Sequence, residues 1–190
     1  MNYVVMGIDR IGKDTFIENN FPGHKKIHLT KPPKDVDPLI FSKTEYCDYF
    51  CNLMKNDNLV YNRGHIDEFV YAPIYRKYST YWLTIMEEEF AQSVANTVFI
   101  LLYTDNFDMM VDDGLSHDFN RKEEEQELFH KYFDQSKMIN KIKIKVNDGK
   151  MYRHPDLIRH DLGAALRETP IIKGDREIPV EVLKSMFSGN

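Results

Sequence analysis

Cysteine is scarce: two occur among 190 residues, Cys47 and Cys51, spaced four apart. So small a supply excludes a disulfide framework and fits a reducing compartment. A metal centre built on this pair would need two further ligands, and no second cysteine pair exists. Both thiols therefore read as buried and inert. Long apolar runs are also missing, and none approaches the length that spans a bilayer. The apolar stretch Tyr3 to Met6 is too short for a signal peptide and runs directly into a charged glycine loop. A cytoplasmic protein with no membrane partner is the expectation. Excess positive charge is absent as well. The formal net charge is −5 and the pI about 5.8, which disfavours a main task of gripping nucleic acid. With no internal repeat and no low-complexity linker, residues 1–190 read as one domain.

What is present is a full core and an alternation of strands and helices. Hydrophobic residues make up 42% of the chain, enough to fold without a staple. Val4 to Met6 form a short buried strand, and a short helix through Phe16 and Ile17 follows the glycine loop. Lys26 to Leu29 read as a second strand. The paired prolines Pro32 and Pro33 exclude a helix there. A helix is predicted from Pro38 to Lys55, with Pro38 suited to its first turn. Leu59 to Tyr61 give a third strand, and Asp67 to Tyr78 a helix broken or kinked at Pro73. Trp82 to Val94 carry helical apolar spacing. Thr97 to Tyr103 form an unbroken apolar strand, as in a parallel sheet covered on both faces. Asp112 to Asn120 read as a loop and Arg121 to Phe133 as a charged helix. Lys141 to Val146 alternate lysine with apolar residues, as at a sheet edge. A last helix is expected from Pro155 to Arg167. The fold class is α/β: three layers around a mainly parallel five-stranded sheet.

The segment Gly7-Ile8-Asp9-Arg10-Ile11-Gly12-Lys13-Asp14-Thr15 follows the first strand and opens a helix. Two glycines five residues apart with a following lysine are the phosphate-loop pattern. The glycines let backbone N–H groups turn inward at phosphate oxygens, and the helix N-terminus adds partial positive charge. Gly7, Ile11, Gly12, Lys13, Asp14 and Thr15 are thus the candidate ATP phosphate-binding set, with Lys13 reaching the β- and γ-phosphates. Asp14 stands where Ser or Thr ordinarily holds Mg²⁺. It is the candidate metal ligand; the alternative is that Asp14 only caps the helix and the Thr15 hydroxyl serves the metal.

This loop resembles that of thymidylate kinases, and its Gly-Lys-Asp-Thr ending resembles bacteriophage deoxynucleoside monophosphate kinases. A second block, Tyr61-Asn62-Arg63-Gly64-His65-Ile66-Asp67-Glu68-Phe69-Val70-Tyr71 with Tyr75-Arg76, is similar to the Asp-Arg-aromatic segment after the family's third strand. Leu29-Thr30-Lys31-Pro32-Pro33 is similar to its Thr-Arg-Glu-Pro segment. The resemblance spans roughly residues 1–146. It implies a P-loop kinase fold with a lid near 112–122, ATP with Mg²⁺ as phosphoryl donor, and a nucleotide acceptor. A homodimer and a host cytoplasm also follow from it. The resemblance gives Asp9 the acceptor sugar hydroxyl, Arg10 the moving phosphoryl group and Arg63 the acceptor phosphate. Phe41 would stack on the acceptor base. Two positions depart from the family: Asn62 replaces an Asp, and Pro32 replaces a Glu.

Each candidate has a plainer reading. Arg63 could form a surface salt bridge, but it sits past the C-terminal end of a strand, where α/β folds bind ligands. Glu68 and Arg76 suit the acceptor site or a helical ion pair. Phe41 and Tyr71 suit base stacking or simple core packing. Arg121 suits a lid arginine over ATP or a solvated helix start. The catalytic set is Arg10, Lys13 and Arg63. The reaction expected is in-line transfer of the ATP γ-phosphoryl group to a deoxynucleoside monophosphate, dTMP or a modified deoxyuridylate. A deoxynucleoside kinase, a kinase of modified bases in phage DNA, and a P-loop binding module without turnover remain the alternatives. A hydroxyl acceptor would call for a nearby carboxylate, for which Asp35 and Glu68 are the candidates.

Overall fold

A computed structural model describes residues 1–108, 110, 111, 114 and 118–169. Five strands form one sheet: β1 (Asn2–Met6), β2 (Lys25–His28), β3 (Leu59–Asn62), β4 (Thr97–Tyr103) and β5 (Lys141–Lys145). Their order is β2-β3-β1-β4-β5 and every pairing is parallel. The chain moves outward from β1 to one edge, then returns to the other side of β1 for β4 and β5. The strand order therefore reverses at β1, and a crevice opens beyond its C-terminal end.

Six helices cover the sheet: α1 (Lys13–Asn20), α2 (Pro38–Lys55), α3 (His65–Tyr71), α4 (Tyr81–Phe90), α5 (Lys122–Gln135) and α6 (Pro155–Glu168). Helix α6 packs on α1 and β5, and α3 packs on α5. This is the three-layer P-loop kinase arrangement. β4 is buried from Thr97 to Leu102 without interruption, as expected of a central parallel strand. β5 at the edge alternates, with Ile142 and Ile144 buried and Lys143 exposed between them. Asn2, fully buried, pins the start of the sheet: its amide donates to the Leu53 and Asn56 carbonyls at 2.9 and 2.8 Å, and its oxygen accepts from Leu59 N–H at 3.0 Å.

The second strand lies one residue earlier than the apolar pattern suggests. The third helix begins at His65, because Gly64 serves as its N-cap. Beyond Tyr71 the helix widens into a π turn, Ala72–Arg76, closed by Lys77 N–H donating to Ala72 O at 2.8 Å. Pro73 lies within that turn and lacks an amide proton, which accounts for the departure from α geometry. α4 ends at Phe90, and turns carry the chain to Asn96. A two-stranded hairpin, β6 (Asn147–Asp148) and β7 (Met151–Tyr152), follows β5 and was not anticipated. Of the expected lid, residues 112, 113 and 115–117 lie outside those described, as does the tail from 170. Phe119–Arg121 form a 3-10 turn leading into α5.

Candidate functional site

The loop after β1 wraps around its own lysine. Lys13 is buried, and its ammonium donates to the carbonyls of Gly7 (2.6 Å) and Ile8 (2.8 Å). Gly7 has φ 140°, and a Cβ there would lie 2.6 Å from the Leu102 carbonyl oxygen, so no larger residue fits. Gly12 caps α1 with φ 89°. Ile11 is wholly buried on its side-chain side and gives its N–H to Ile8 O at 3.4 Å. Arg10 has φ 71°, an uncommon value for a residue other than glycine. Burial lowers the Lys13 pKa to about 8, against the pull of Asp67 and Asp9.

A cavity of about 530 Å³ lies over this loop, lined by Asp9, Arg10, Lys13, Asp14, Asn62 and Arg63 among others. Arg63, at φ 80°, crosses from the end of β3 and donates to Asp9 Oδ1 at 3.0 Å. Burial pushes the Asp9 carboxyl up, but Lys13 and Arg63 outweigh it and hold the carboxyl below its ordinary value. Asn62 Nδ2 donates to Asp14 Oδ1 at 2.7 Å, while Asn62 Oδ1 is buried without a partner among the described residues. The sequence treated Asn62 and Asp14 as separate departures; the fold puts them in contact. Thr15 lines the same cavity, as do His28 and Lys31.

A narrow crevice, about 10 Å³, continues from Arg63 toward α2 and α3. Arg63, Glu68, Tyr71 and Arg76 all line it, so four of the six acceptor candidates share one wall. Arg76 pairs with Glu68, and Tyr78 donates to the same carboxylate. Those two residues are eight apart, and the π turn is what brings the guanidinium back over the carboxylate. Tyr46, buried on α2, donates to Gly64 O at 3.1 Å. Phe41 is half-buried on α2 and lines neither space. Asp35 is exposed in the proline segment.

Asp67 was overlooked in the sequence. It sits at the third position of α3, where a carboxylate can bond the helix cap, and its Oδ2 accepts from Gly64 N–H at 2.8 Å. Its Oδ1 is buried without a partner among the described residues, and desolvation raises the carboxyl pKa to about 6 against the pull of Lys13 and Arg63. The available signal was the spacing of three from Gly64.

On the other side of the loop lies a second cavity of about 500 Å³. Ile11, Gly12, Thr15, Phe16 and Asn20 form its floor, and Tyr152, Arg153, His154, Pro155 and Ile158 form its roof. The unanticipated hairpin thus closes a space against the phosphate loop. Arg121 lines neither cavity. It pairs with Glu124 and lies 6.0 Å from the Tyr75 ring centre. Both cysteines are free; burial pushes Cys47 up to about 11. No cluster of three or more metal-ligating side chains occurs among the described residues, and none of their helices is long and apolar enough to cross a membrane.

The fold is similar to that in the crystal structure of the YorR protein from Bacillus subtilis in complex with phosphorylated GDP. The match has a TM-score of 0.62 at 16% sequence identity and covers 88% of this chain and 96% of that one. No protein-family model matches the chain, and no curated protein is similar to it in sequence.

Proposed function

We propose that this protein is an ATP-dependent phosphotransferase acting on a deoxynucleoside monophosphate, dTMP or a modified deoxyuridylate. The observation that carries the reading is the run of cations along one crevice. Lys13 and Arg10 on the loop and Arg63 just past β3 line a single cavity, and Arg63 also lines the crevice that continues from it. Donor phosphates fit the loop end, and an acceptor phosphate fits Arg63. The second cavity suits the donor base, since it adjoins the loop and is mostly apolar. That YorR was crystallised with phosphorylated GDP supports a nucleotide ligand for this fold.

In the reaction, an acceptor phosphate oxygen bonds to the γ-phosphorus of ATP. The bond from that phosphorus to the β–γ bridging oxygen breaks, and ADP leaves. The protein positions the reactants and stabilises charge. Lys13 and the loop amides hold the β- and γ-phosphates, Arg10 meets charge on the moving phosphoryl group, and Arg63 fixes the acceptor. Asp9, already bonded to Arg63, is placed for the acceptor sugar.

The donor set near the loop suits Mg²⁺. Asp14 presents a hard carboxylate, Thr15 a hydroxyl, and the buried Asn62 oxygen has no partner among the described residues. A single carboxylate with substrate phosphates is the common way proteins hold this ion. Bound there, Mg²⁺ would neutralise charge on the β- and γ-oxygens.

One observation favours a second reading, a deoxynucleoside acceptor. A hydroxyl must lose a proton as it attacks, and Asp67 is a buried carboxyl with a pKa near 6 beside Arg63. Monophosphate oxygens are already ionised at neutral pH and need no such base. ADP release decides between them. The first reading expects turnover to rise sharply with a deoxynucleoside monophosphate and little with the matching nucleoside. Equal or faster turnover with the nucleoside would transfer the assignment to the second. Phosphorylation of polymeric DNA alone would refute both.

A further inference from the structure

A side chain that lines the second cavity bonds the loop residue that lines the first. Tyr152, on β7, lines the second cavity with its ring, and its hydroxyl donates to the backbone carbonyl of Arg10 at 2.6 Å. The same ring packs over Gly12, 3.7 Å from where a Cβ would stand. Tyr152 therefore touches the loop at two points, Arg10 O and Gly12.

The hairpin that carries it is fixed at its base. Asn147 donates to Asp105 Oδ1 at 2.6 Å and to Gly149 O at 2.9 Å, and its oxygen accepts from Asp105 N–H at 3.2 Å. Arg153 returns its N–H to Val146 O at 2.9 Å, donates to Lys145 O at 3.1 Å and pairs with Asp161 of α6 at 2.7 Å. A tyrosine on so well tied a support can restrain the loop. The loop needs restraint at this point. Arg10 holds a left-handed backbone, φ 71°, which a non-glycine residue keeps only when its surroundings impose it. That backbone angle decides where the Arg10 guanidinium points within the first cavity.

We infer that Tyr152 is a positioning residue: its hydroxyl holds the Arg10 backbone for phosphoryl transfer, and its ring receives the donor base. The inference rests on the phosphotransferase reading and adds to it a coupling between the donor base and the transferred phosphoryl group. A base stacked on the ring fixes the tyrosine, and the tyrosine fixes the arginine.

The two halves of the side chain separate in a pair of variants of the full-length protein. Tyr152→Phe removes the hydroxyl and keeps the ring. It should leave the Kd for ATP, measured by equilibrium dialysis, within about twofold and lower kcat roughly three- to tenfold, the usual worth of one hydrogen bond. Tyr152→Ala should show the same loss in kcat and also raise the Kd for ATP by about tenfold, the worth of one base–aromatic stack. The decisive comparison is made in an Arg10→Ala background, where Tyr152→Phe should have no further effect on kcat because the guanidinium that the bond positions is gone, although the carbonyl it bonds remains. A full additional loss in that background would overturn the role, as would an unchanged kcat for Tyr152→Phe beside an active wild type. Absence of ADP release from the wild type with every acceptor would overturn the phosphotransferase reading itself, and this role with it.

Discussion

Asp14 should control the magnesium requirement of the protein, and its effect on ATP binding should change sign with the metal. A carboxylate about 4 Å from a divalent cation gains roughly 2 kcal/mol even with the screening of bulk water. That is about a thirtyfold effect on affinity. The same carboxylate repels ATP phosphates when no metal intervenes. Asp14→Ala should therefore raise the Mg²⁺ concentration needed for half-maximal turnover by about thirtyfold, an upper figure because Asp14 is exposed. In EDTA the same variant should bind ATP as well as the wild type or better. Asp14→Ser should recover much of the requirement by offering a neutral oxygen. Asn62→Ala removes the 2.7 Å bond that orients the carboxylate and should shift the requirement about fivefold, from about 1 kcal/mol for one part-buried hydrogen bond. Exchanging the two residues, Asp14→Asn with Asn62→Asp, keeps one carboxylate and one amide in contact and should outperform either single change. Mn²⁺ bound in the presence of a non-hydrolysable ATP analogue, followed by electron paramagnetic resonance, gives a readout independent of turnover. If Asp14→Ala titrates like the wild type and Thr15→Val does not, the hydroxyl serves the metal and Asp14 serves only the helix.

Arg10→Ala should lower kcat far more than it weakens ATP binding; the residue's worth is bounded by the about 10³–10⁵ of related arginines, and near-normal kcat would reduce it to a structural role. Lys13, with its pKa lowered to about 8, should take up about half a proton when nucleotide binds at pH 8, because phosphates restore its charge. Calorimetry in buffers of different ionisation enthalpy measures this, and a binding heat independent of buffer would refute it. Asp67 has a folded pKa near 6, above its unfolded value, so its contribution to stability is full below about pH 4 and is lost as pH rises to about 6. Asp67→Asn should abolish that slope in urea titrations, and identical slopes in both proteins would exclude it. Gly64→Ala should cost about 1–3 kcal/mol of stability by overpacking, since a Cβ would lie 2.5 Å from Val4 Cγ1 and 3.0 Å from Met6 Sδ; an unchanged Tm would show that the sheet yields there.

Much of the architecture was legible because it depends on local pattern. An unbroken apolar run marked β4, alternation marked β5, and a glycine-bounded segment marked the loop between β1 and α1. What escaped depended on non-local geometry. The strands β6 and β7 have two residues each, too few for any periodicity to register. The Glu68–Arg76 pair spans eight positions, about 12 Å along a regular helix and too far for contact, and the π turn at Pro73 interrupts that helix. Asp67 lay unremarked within a quoted segment because its burial is tertiary. Phe41 shows the converse: apolar spacing put it on α2, but spacing does not say which apolar residue meets the crevice.

The charges of the site are already matched with one another. Arg63 is bonded to Asp9, Lys13 to two loop carbonyls, Asp14 to Asn62, and Arg76 to Glu68. Each of these partners can be exchanged for one that a substrate brings. In the proposed reaction a phosphate would compete with the loop carbonyls for Lys13 and win, because it carries full charge where they carry only dipoles. An acceptor phosphate competes with Asp9 for Arg63, and a sugar hydroxyl can then take up the Asp9 oxygen so released. The crevice beyond Arg63 has little free volume while Glu68 and Arg76 are paired, so an acceptor base must also rearrange that pair or the helices that bear it. A buried ion pair broken without replacement costs several kcal/mol. The acceptor must therefore supply a partner to Glu68 or Arg76 as it enters, and a base with both hydrogen-bond donors and acceptors on its edge can do so. A sugar phosphate without a base has its hydroxyls at Asp9 and leaves nothing to reach the Glu68–Arg76 pair. On this argument ribose 5-phosphate and its deoxy counterpart should fail as acceptors even though they offer Arg63 the same phosphate.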